Sequence, residues 1–182
     1  MFWSSHVSAK PLARPFVADA PPWWQFAAVL ALALLVQSTL APFVSLRGAT
    51  VSFVLLVVLW YGLRAGTGPG LLAGLIAGAG EDALGASAPA WTFATALCGG
   101  LAGRFSGSIL GESRAFVIAA VVVATLVRYA AFALVLQLAG HPLALPQSHF
   151  HALLWQSVLD ALGATLVLAL WPGVLGSDGR HS

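Results

Sequence analysis

The chain has 182 residues, of which 59% are hydrophobic and only 8% are charged. A soluble domain usually carries about 25% charged residues, so this composition indicates one integral membrane domain. The net charge of +2 rests on few groups and forms no basic patch, which argues against nucleic-acid binding. The single cysteine, Cys98, excludes an internal disulfide and a cysteine-rich metal site.

Apolar runs predict six transmembrane helices, since about 20 apolar residues span the hydrocarbon core of a bilayer. The predicted helices are 23–40, 49–63, 69–84, 90–105, 115–138 and 150–174. The first run is longer than the apolar part of a secretory signal, so we interpret it as a retained helix. Arg64 separates the second and third helices and predicts a tight hairpin. We expect an all-α membrane protein with an N-terminal segment at 1–22, a membrane domain at 23–174 and a tail at 175–182.

Basic residues are distributed unevenly between the two sides of the predicted bundle. The side with both termini collects Lys10, Arg14, Arg64, Arg104, Arg114 and Arg180. The other side collects only Arg47. By the positive-inside rule, this bias places both termini in the cytoplasm and Glu81 and Asp82 at the outer face of the membrane.

Glycines recur every four residues in the third and fourth predicted helices. They are Gly66, Gly70, Gly74 and Gly78, then Gly99, Gly103, Gly107 and Gly111. Four residues turn a helix by about 400°, so each series forms one slowly drifting groove. Helices in lipid associate through close packing, which small residues permit. We expect these two helices to pack tightly against each other or against a partner, or to use the grooves only for folding.

The third predicted helix ends in two adjacent carboxylates, Glu81 and Asp82. Neighbouring side chains point about 100° apart on a helix, so the two acids do not form a natural acid–base pair. Composition favours a solvated helix end at the outer interface. Two alternatives remain open, in which Asp82 caps the loop beginning at Gly85 or pairs with a basic group of a partner.

Arg128 and Asp160 are the two charged residues predicted to lie deep in the membrane. Arg128 lies roughly 20 Å from the cytoplasmic end of its helix, and Asp160 roughly 15 Å from that side. A charge at the bilayer centre costs about 2.5–3.5 kcal/mol on the lenient scale, and pairing offsets part of this cost. We therefore expect an Arg128–Asp160 ion pair, with a packing role favoured over a transport role.

Other polar residues predict little chemistry. Gln37 and Gln137, near helix ends, are expected to be interhelical hydrogen-bonding or interface residues. The outer loop contains His141, His149 and His151, but no third ligand has suitable spacing for zinc, so a solvated loop is expected and a partner-contacting or pH-responsive loop is the alternative. No nucleophile elbow, metalloprotease motif or phosphate loop occurs, which predicts a protein without catalytic residues, metal or cofactor.

Residues 70–107, with the sequence GLLAGLIAGAGEDALGASAPAWTFATALCGGLAGRFSG, resemble the central region of the rod shape-determining protein MreD family. The resemblance consists of a glycine-spaced helix ending in an aspartate, a short loop of small residues, and an apolar helix ending near glycine and arginine. The matching positions are Gly70, Gly74, Gly78, Asp82, Gly85, Gly99, Gly103 and Arg104. The segment LVQSTLAPF at 35–43, with Gln37 and Pro42, is similar to the end of the family's first helix.

This resemblance implies a non-enzymatic scaffold in the inner membrane of bacteria, acting in peptidoglycan synthesis during cell elongation. The implied partner is an MreC-like single-pass membrane protein, with links to MreB, a RodA-type glycosyltransferase and its transpeptidase. The implied fold is similar to the substrate-binding S-component of energy-coupling-factor transporters. On this view the glycine-lined helices and Asp82 bear on the partner or on the core of the fold.

The alternative function is such an S-component, which captures a vitamin. Ala27 and Ala31 on the first helix offer a small-xxx-small face for a coupling subunit. An S-component should gather polar and aromatic groups into an outward pocket, whereas the predicted outer loops are short and poor in hydrogen-bonding side chains. An intramembrane hydrolase is a third possibility, which the missing motifs disfavour.

Overall fold

The fold is all-helical within the part of the chain that the structure describes. This computed structural model describes residues 20–40, 43, 45–46, 49–85, 89–107, 113–140 and 147–170, with side chains from 153 onward in the last range. The six helices are α1 Trp23–Leu40, α2 Phe53–Ala65, α3 Thr67–Gly85, α4 Ala90–Gly103, α5 Arg114–Leu138 and α6 Gln147–Leu170. The predicted all-α class is confirmed. Most of the N-terminal segment at 1–22, and the tail at 175–182, lie outside the described residues.

Helix α2 and helix α3 form the predicted tight hairpin. A single residue, Gly66, separates them, and its φ of 96° is a conformation that glycine adopts without strain. Helix α2 begins four residues later than predicted, because the backbone at Thr50 and Ser52 bonds to side chains of α6 instead of to a helical turn. Helix α4 ends at Gly103, and Gly107 lies beyond it in a turn with a φ of 72°. Gly66 and Gly107 therefore belong to turns, not to the helical glycine grooves.

Helix α2 lies at the centre of the bundle and contributes to both hydrophobic clusters. Its Val54 and Val58 pack with side chains of α1 and α3. Its Leu55 and Leu59 pack with side chains of α4, α5 and α6. The buried faces of α2 therefore contact all five other helices.

The most extensive helix–helix contact joins α3 to α4, as the glycine spacing predicts. A methyl group built on Gly74 would overlap the Thr95 carbonyl oxygen, and one on Gly78 would lie 2.6 Å from the Thr92 Cα atom. Gly70 faces Gly99 in the same way. These two helices thus pack backbone to backbone within the chain, and their grooves are filled by each other rather than by a partner.

The second glycine series continues this contact toward the hairpin. A methyl group on Gly103 would overlap the carbonyl group of Gly66, so the end of α4 rests on the α2–α3 turn. Gly62 of α2 approaches Gly99 from the other side, where its Cβ would lie 2.7 Å from the Gly99 carbonyl oxygen. Three backbones therefore converge at Gly62, Gly70 and Gly99, which explains why a glycine-rich sequence forms stable helices here.

The outer surface of the bundle is strongly apolar. Large hydrophobic side chains are exposed along α1, α3, α4, α5 and α6, among them Leu32, Ile76, Phe93, Leu126 and Leu162. Two helices, Arg114–Leu138 and the Leu153–Leu170 part of α6, are long and apolar enough to cross a membrane. Helices α1 and α2 are apolar over shorter lengths.

Candidate functional site

Buried polar side chains gather at one end of the bundle. This region is formed where α1 and α3 end and where α2 and α4 begin, together with the middle of α5 and of α6. The buried members are Ser52, Glu81, Asp82, Thr95, Thr125, Arg128, Gln156 and Asp160. Because these residues come from four helices and from the residue before α2, only the tertiary fold brings them together.

Arg128 is the hub of this cluster. Its Nε donates to the Thr95 hydroxyl at 3.1 Å, and one terminal nitrogen donates to the Ser52 hydroxyl at 2.5 Å. The other terminal nitrogen forms an ion pair with the Glu81 carboxylate. The guanidinium carbon also lies 4.5 Å from the centre of the Trp91 ring, in cation–π geometry. One side chain of α5 thereby binds α3, α4 and the start of α2.

The expected Arg128–Asp160 ion pair is wrong, since the ionic partner of Arg128 is Glu81. The expectation compared depths along the helix axes, and depth says nothing about the direction in which each side chain points. Glu81 was also expected to be solvated, although only 9% of its surface is exposed. Ser52 lies between Arg128 and Asp160, because its hydroxyl accepts a hydrogen bond from Arg128 and its backbone N–H donates one to Asp160.

Asp160 is fully buried and bonds to neutral groups. Its Oδ1 accepts from the Ser52 backbone N–H at 2.7 Å and from the Gln156 side-chain amide at 3.1 Å. Its Oδ2 lies 2.9 Å from the Thr125 hydroxyl oxygen. Gln156 also accepts from the Thr50 N–H at 3.1 Å and donates to the Thr50 carbonyl, so α6 holds the extended segment before α2.

Glu81 extends the network to α1. The Gln37 amide donates to Glu81 Oε1 at 3.0 Å, and Gln37 Oε1 accepts from the Val54 N–H in the first turn of α2 at 3.2 Å. The predicted interhelical role of Gln37 is confirmed. Gln137, in contrast, is exposed in the last turn of α5.

Asp82 caps the N-terminus of α4. Its two carboxylate oxygens accept from the Trp91 N–H at 3.2 Å, the Thr92 N–H at 2.9 Å and the Thr92 hydroxyl at 2.6 Å. The first N–H groups of a helix have no intrahelical partner, and a carboxylate there also meets the positive end of the helix dipole. The expectation of a solvated acid pair is wrong, because Glu81 and Asp82 are both buried. Glu81 bonds to side chains of α1 and α5, and Asp82 bonds to the first turn of α4.

A cavity of about 400 Å³ opens beside this network. Its polar lining includes Gln37, Glu81, Arg128 and Gln156, and its aromatic lining is Trp91 and Tyr129. Trp91 is held in place by stacking on Phe132 at 4.2 Å and by an edge contact with Tyr129 at 5.7 Å between ring centres. The volume is within the range of small-molecule sites, roughly 300–1,000 Å³.

The hydrogen-bonding capacity left for a ligand in this cavity is small and consists largely of donors. The guanidinium group of Arg128 has five N–H donors, and three of them bond within the protein. Gln37 and Gln156 are engaged at both ends of their amides. Arg128 is already neutralised by Glu81, so the cavity suits a neutral carbonyl-bearing group better than a strong anion or cation.

The histidines of the predicted outer loop lie largely outside the described part of the chain. His141 and the side chains of His149 and His151 lie outside the described residues, although both latter positions belong to the first turns of α6. Among the residues that are described, no three histidine, cysteine, aspartate or glutamate side chains come together to hold a metal.

Four members of the cluster were not among the predicted site residues, namely Ser52, Thr95, Thr125 and Gln156. Each is a polar residue within or next to an apolar run, which indicates that it faces protein rather than lipid. That signal does not identify partners. Comparison of the chain with models of protein families, with curated proteins and with solved structures finds no match.

Proposed function

We propose that this protein is an MreD-like, non-enzymatic scaffold of the bacterial inner membrane that docks an MreC-like single-pass protein during cell-wall elongation. The observation that supports it most is the position of the residues that carry the resemblance. Gly70, Gly74, Gly78, Gly99 and Gly103 form the α3–α4 contact, and Asp82 caps α4. The motif thus builds one closely packed two-helix unit.

The buried charges also suit a structural role. Arg128, Glu81 and Asp82 all bond to the chain's own groups and hold α1, α3, α4 and α5 together. The apolar exterior, with exposed side chains on five helices, fits a bundle embedded in a membrane. The proposed bundle crosses the membrane six times with both termini in the cytoplasm, as the bias of basic residues predicts. In this proposal the glycine grooves of α3 and α4 are occupied by each other, so the partner binds an outer face of the bundle.

A photo-crosslinking scan in native membranes tests the scaffold role. A photoreactive residue is placed in turn at Leu32, Ile76, Leu126 and Leu162, four exposed positions on α1, α3, α5 and α6. We expect an MreC-like single-pass protein to be captured from one or two of these faces and identified by mass spectrometry. Gly74 is unsuitable for this purpose, because any side chain there disrupts the α3–α4 contact. Capture of an ATPase-coupled membrane subunit instead would overturn the proposal.

The cavity favours a second candidate, the substrate-binding S-component of a vitamin transporter. The fold gathers Gln37, Glu81, Arg128, Trp91 and Tyr129 around one cavity, although the sequence of the outer loops predicts no such pocket. In addition, the Ala27–Ala31 face of α1 is exposed, as contact with a coupling subunit requires.

Native mass spectrometry of the purified full chain separates the two candidates. A stoichiometric bound small molecule would favour the S-component. The matched variants are Ser38→Trp, which fills the cavity, and Thr39→Trp, which lies on the neighbouring side of α1 away from the cavity lining. Loss of the ligand in the first variant and its retention in the second would assign it to this cavity. Absence of a ligand together with capture of the single-pass partner would support the scaffold.

A further inference from the structure

Asp160 is the most deeply buried ionisable side chain among the residues described here, with 0% of its surface exposed. Its two carboxyl oxygens have different surroundings. Oδ1 accepts two N–H bonds, from the Ser52 backbone and from Gln156. Oδ2 has one polar neighbour in the described part of the chain, the hydroxyl oxygen of Thr125. The position of the hydroxyl hydrogen therefore decides which oxygen is the donor.

Thr125 has a second contact that competes for this hydrogen. Its hydroxyl oxygen lies 3.0 Å from the carbonyl oxygen of Val121, one turn earlier in α5. A threonine hydroxyl has a single hydrogen and a carbonyl oxygen only accepts, so an ionised Asp160 and Val121 would share one donor. If Asp160 is a neutral acid, all contacts form at once. Oδ1 accepts two bonds, Oδ2–H donates to Thr125, and Thr125 donates to Val121.

The charges buried around Asp160 also favour its neutral form. The groups that face Asp160 are Arg128 and Tyr129 from α5, Glu81 beyond Arg128 from α3, and the uncharged Ser52 at the start of α2. Arg128 is already matched by Glu81. An ionised Asp160 would leave this buried group with one excess negative charge, and an uncompensated buried charge is strongly destabilising. A proton on Asp160 makes the group neutral.

We propose that Asp160 is a proton-binding site, a carboxylic acid that stays protonated at neutral pH and donates a hydrogen bond to Thr125. The inference does not depend on the proposed scaffold role. It has a consequence for the cavity, because Ser52 and Gln156 hold Asp160 and also line the cavity wall. A ligand or partner that displaces either residue would change the affinity of Asp160 for its proton.

Infrared spectroscopy of the full chain, in a detergent without carboxyl or ester groups, tests the proposal directly. The protein is labelled with a heavy carbon isotope at the aspartate side-chain carboxyl. We expect at neutral pH one protonated-carboxyl C=O band that shifts with the isotope, disappears in Asp160→Asn and remains in Asp82→Asn. Only carboxylate bands in the wild-type protein, or a band that disappears in Asp82→Asn instead, would overturn the proposal.

Thermal unfolding of two amide variants supplies a second test. Asparagine reproduces the neutral acid, because its oxygen accepts two bonds and its N–H donates to Thr125, so Asp160→Asn should keep the melting temperature of the wild type. Glu81→Gln removes the ionic partner of Arg128 and should lower the melting temperature by on the order of 10 °C. If Asp160→Asn lowers it equally or prevents folding, Asp160 is ionised and the proposal is wrong.

Discussion

Arg128 of α5 and Glu81 of α3 form an ion pair beneath the end of the bundle, where only 5% and 9% of their surfaces are exposed. Each charge is also hydrogen-bonded, Arg128 by Thr95 and Ser52 and Glu81 by Gln37. A buried pair of this kind contributes little beyond an apolar replacement, but breaking it leaves an uncompensated charge. The pair therefore disfavours other arrangements of α3 and α5, in which one of the two charges would be buried without a partner.

Removing one member of this pair should destabilise the protein by about 3–5 kcal/mol. We expect this loss for Glu81→Gln and for Arg128→Gln, and a partial recovery in the double variant because no lone charge remains. Arg114→Gln is the control, since that arginine is exposed at the start of the same helix and its loss should change stability by less than about 0.5 kcal/mol. Detergent-titrated unfolding measures the differences. Strict additivity of the two single changes would contradict direct coupling.

Two consecutive glycines of α4 should respond oppositely to alanine. A methyl group on Gly99 would overlap the Gly70 carbonyl, whereas one on Gly100 meets only the Leu71 side chain at 3.5 Å. We expect Gly99→Ala to lose at least about 1–3 kcal/mol through overpacking, and Gly100→Ala to be neutral or slightly stabilising because alanine favours the helix. Unfolding measurements on both variants check this. Equal effects would mean that α3 and α4 are not packed backbone to backbone.

The Asp82 cap should be measurable separately from the ion pair. Asp82→Ala should cost about 1–2 kcal/mol, because it leaves the N–H groups of Trp91 and Thr92 unpaired at the start of α4. Asparagine is also a good cap, so Asp82→Asn should retain part of this energy. Hydrogen exchange at Thr92 should accelerate in the alanine variant. Unchanged exchange there would exclude the cap.

Cys98 provides a probe of this packing. It is the only cysteine of the chain, 1% exposed, with its sulfur 3.3 Å from the Ala124 carbonyl oxygen. We expect a membrane-permeant maleimide to leave the folded protein unlabelled and to label it fully after unfolding. Gly99→Ala should increase the labelling rate and Gly100→Ala should not. Rapid labelling of the native wild type would show that the α4–α5 contact is open.

Cysteine accessibility also tests the proposed six-span topology. In a Cys98→Ala background, Arg104→Cys should react only from the cytoplasmic side and Pro89→Cys only from the outside, because the two exposed residues flank opposite ends of α4. A membrane-impermeant thiol reagent applied to intact cells and to inverted vesicles makes the comparison. Labelling of both positions from one side would mean that α4 does not cross the membrane.

The helical class, the position of α1, the α2–α3 hairpin and the glycine grooves of α3 and α4 could be predicted from the sequence. Packing of the two grooves against each other was one of several open alternatives, and the structure selects it. These features follow from local patterns, since apolar run length, a charged residue between two apolar runs and four-residue glycine spacing all act within one or two neighbouring helices. The hydrogen-bonding and ionic partners of the buried polar residues follow only from the tertiary structure, because they lie far apart in the sequence. Arg128 pairs with Glu81 and not with Asp160 because of the direction in which its side chain points. That direction depends on the rotation of each helix, which the packing of the other five helices around α2 sets.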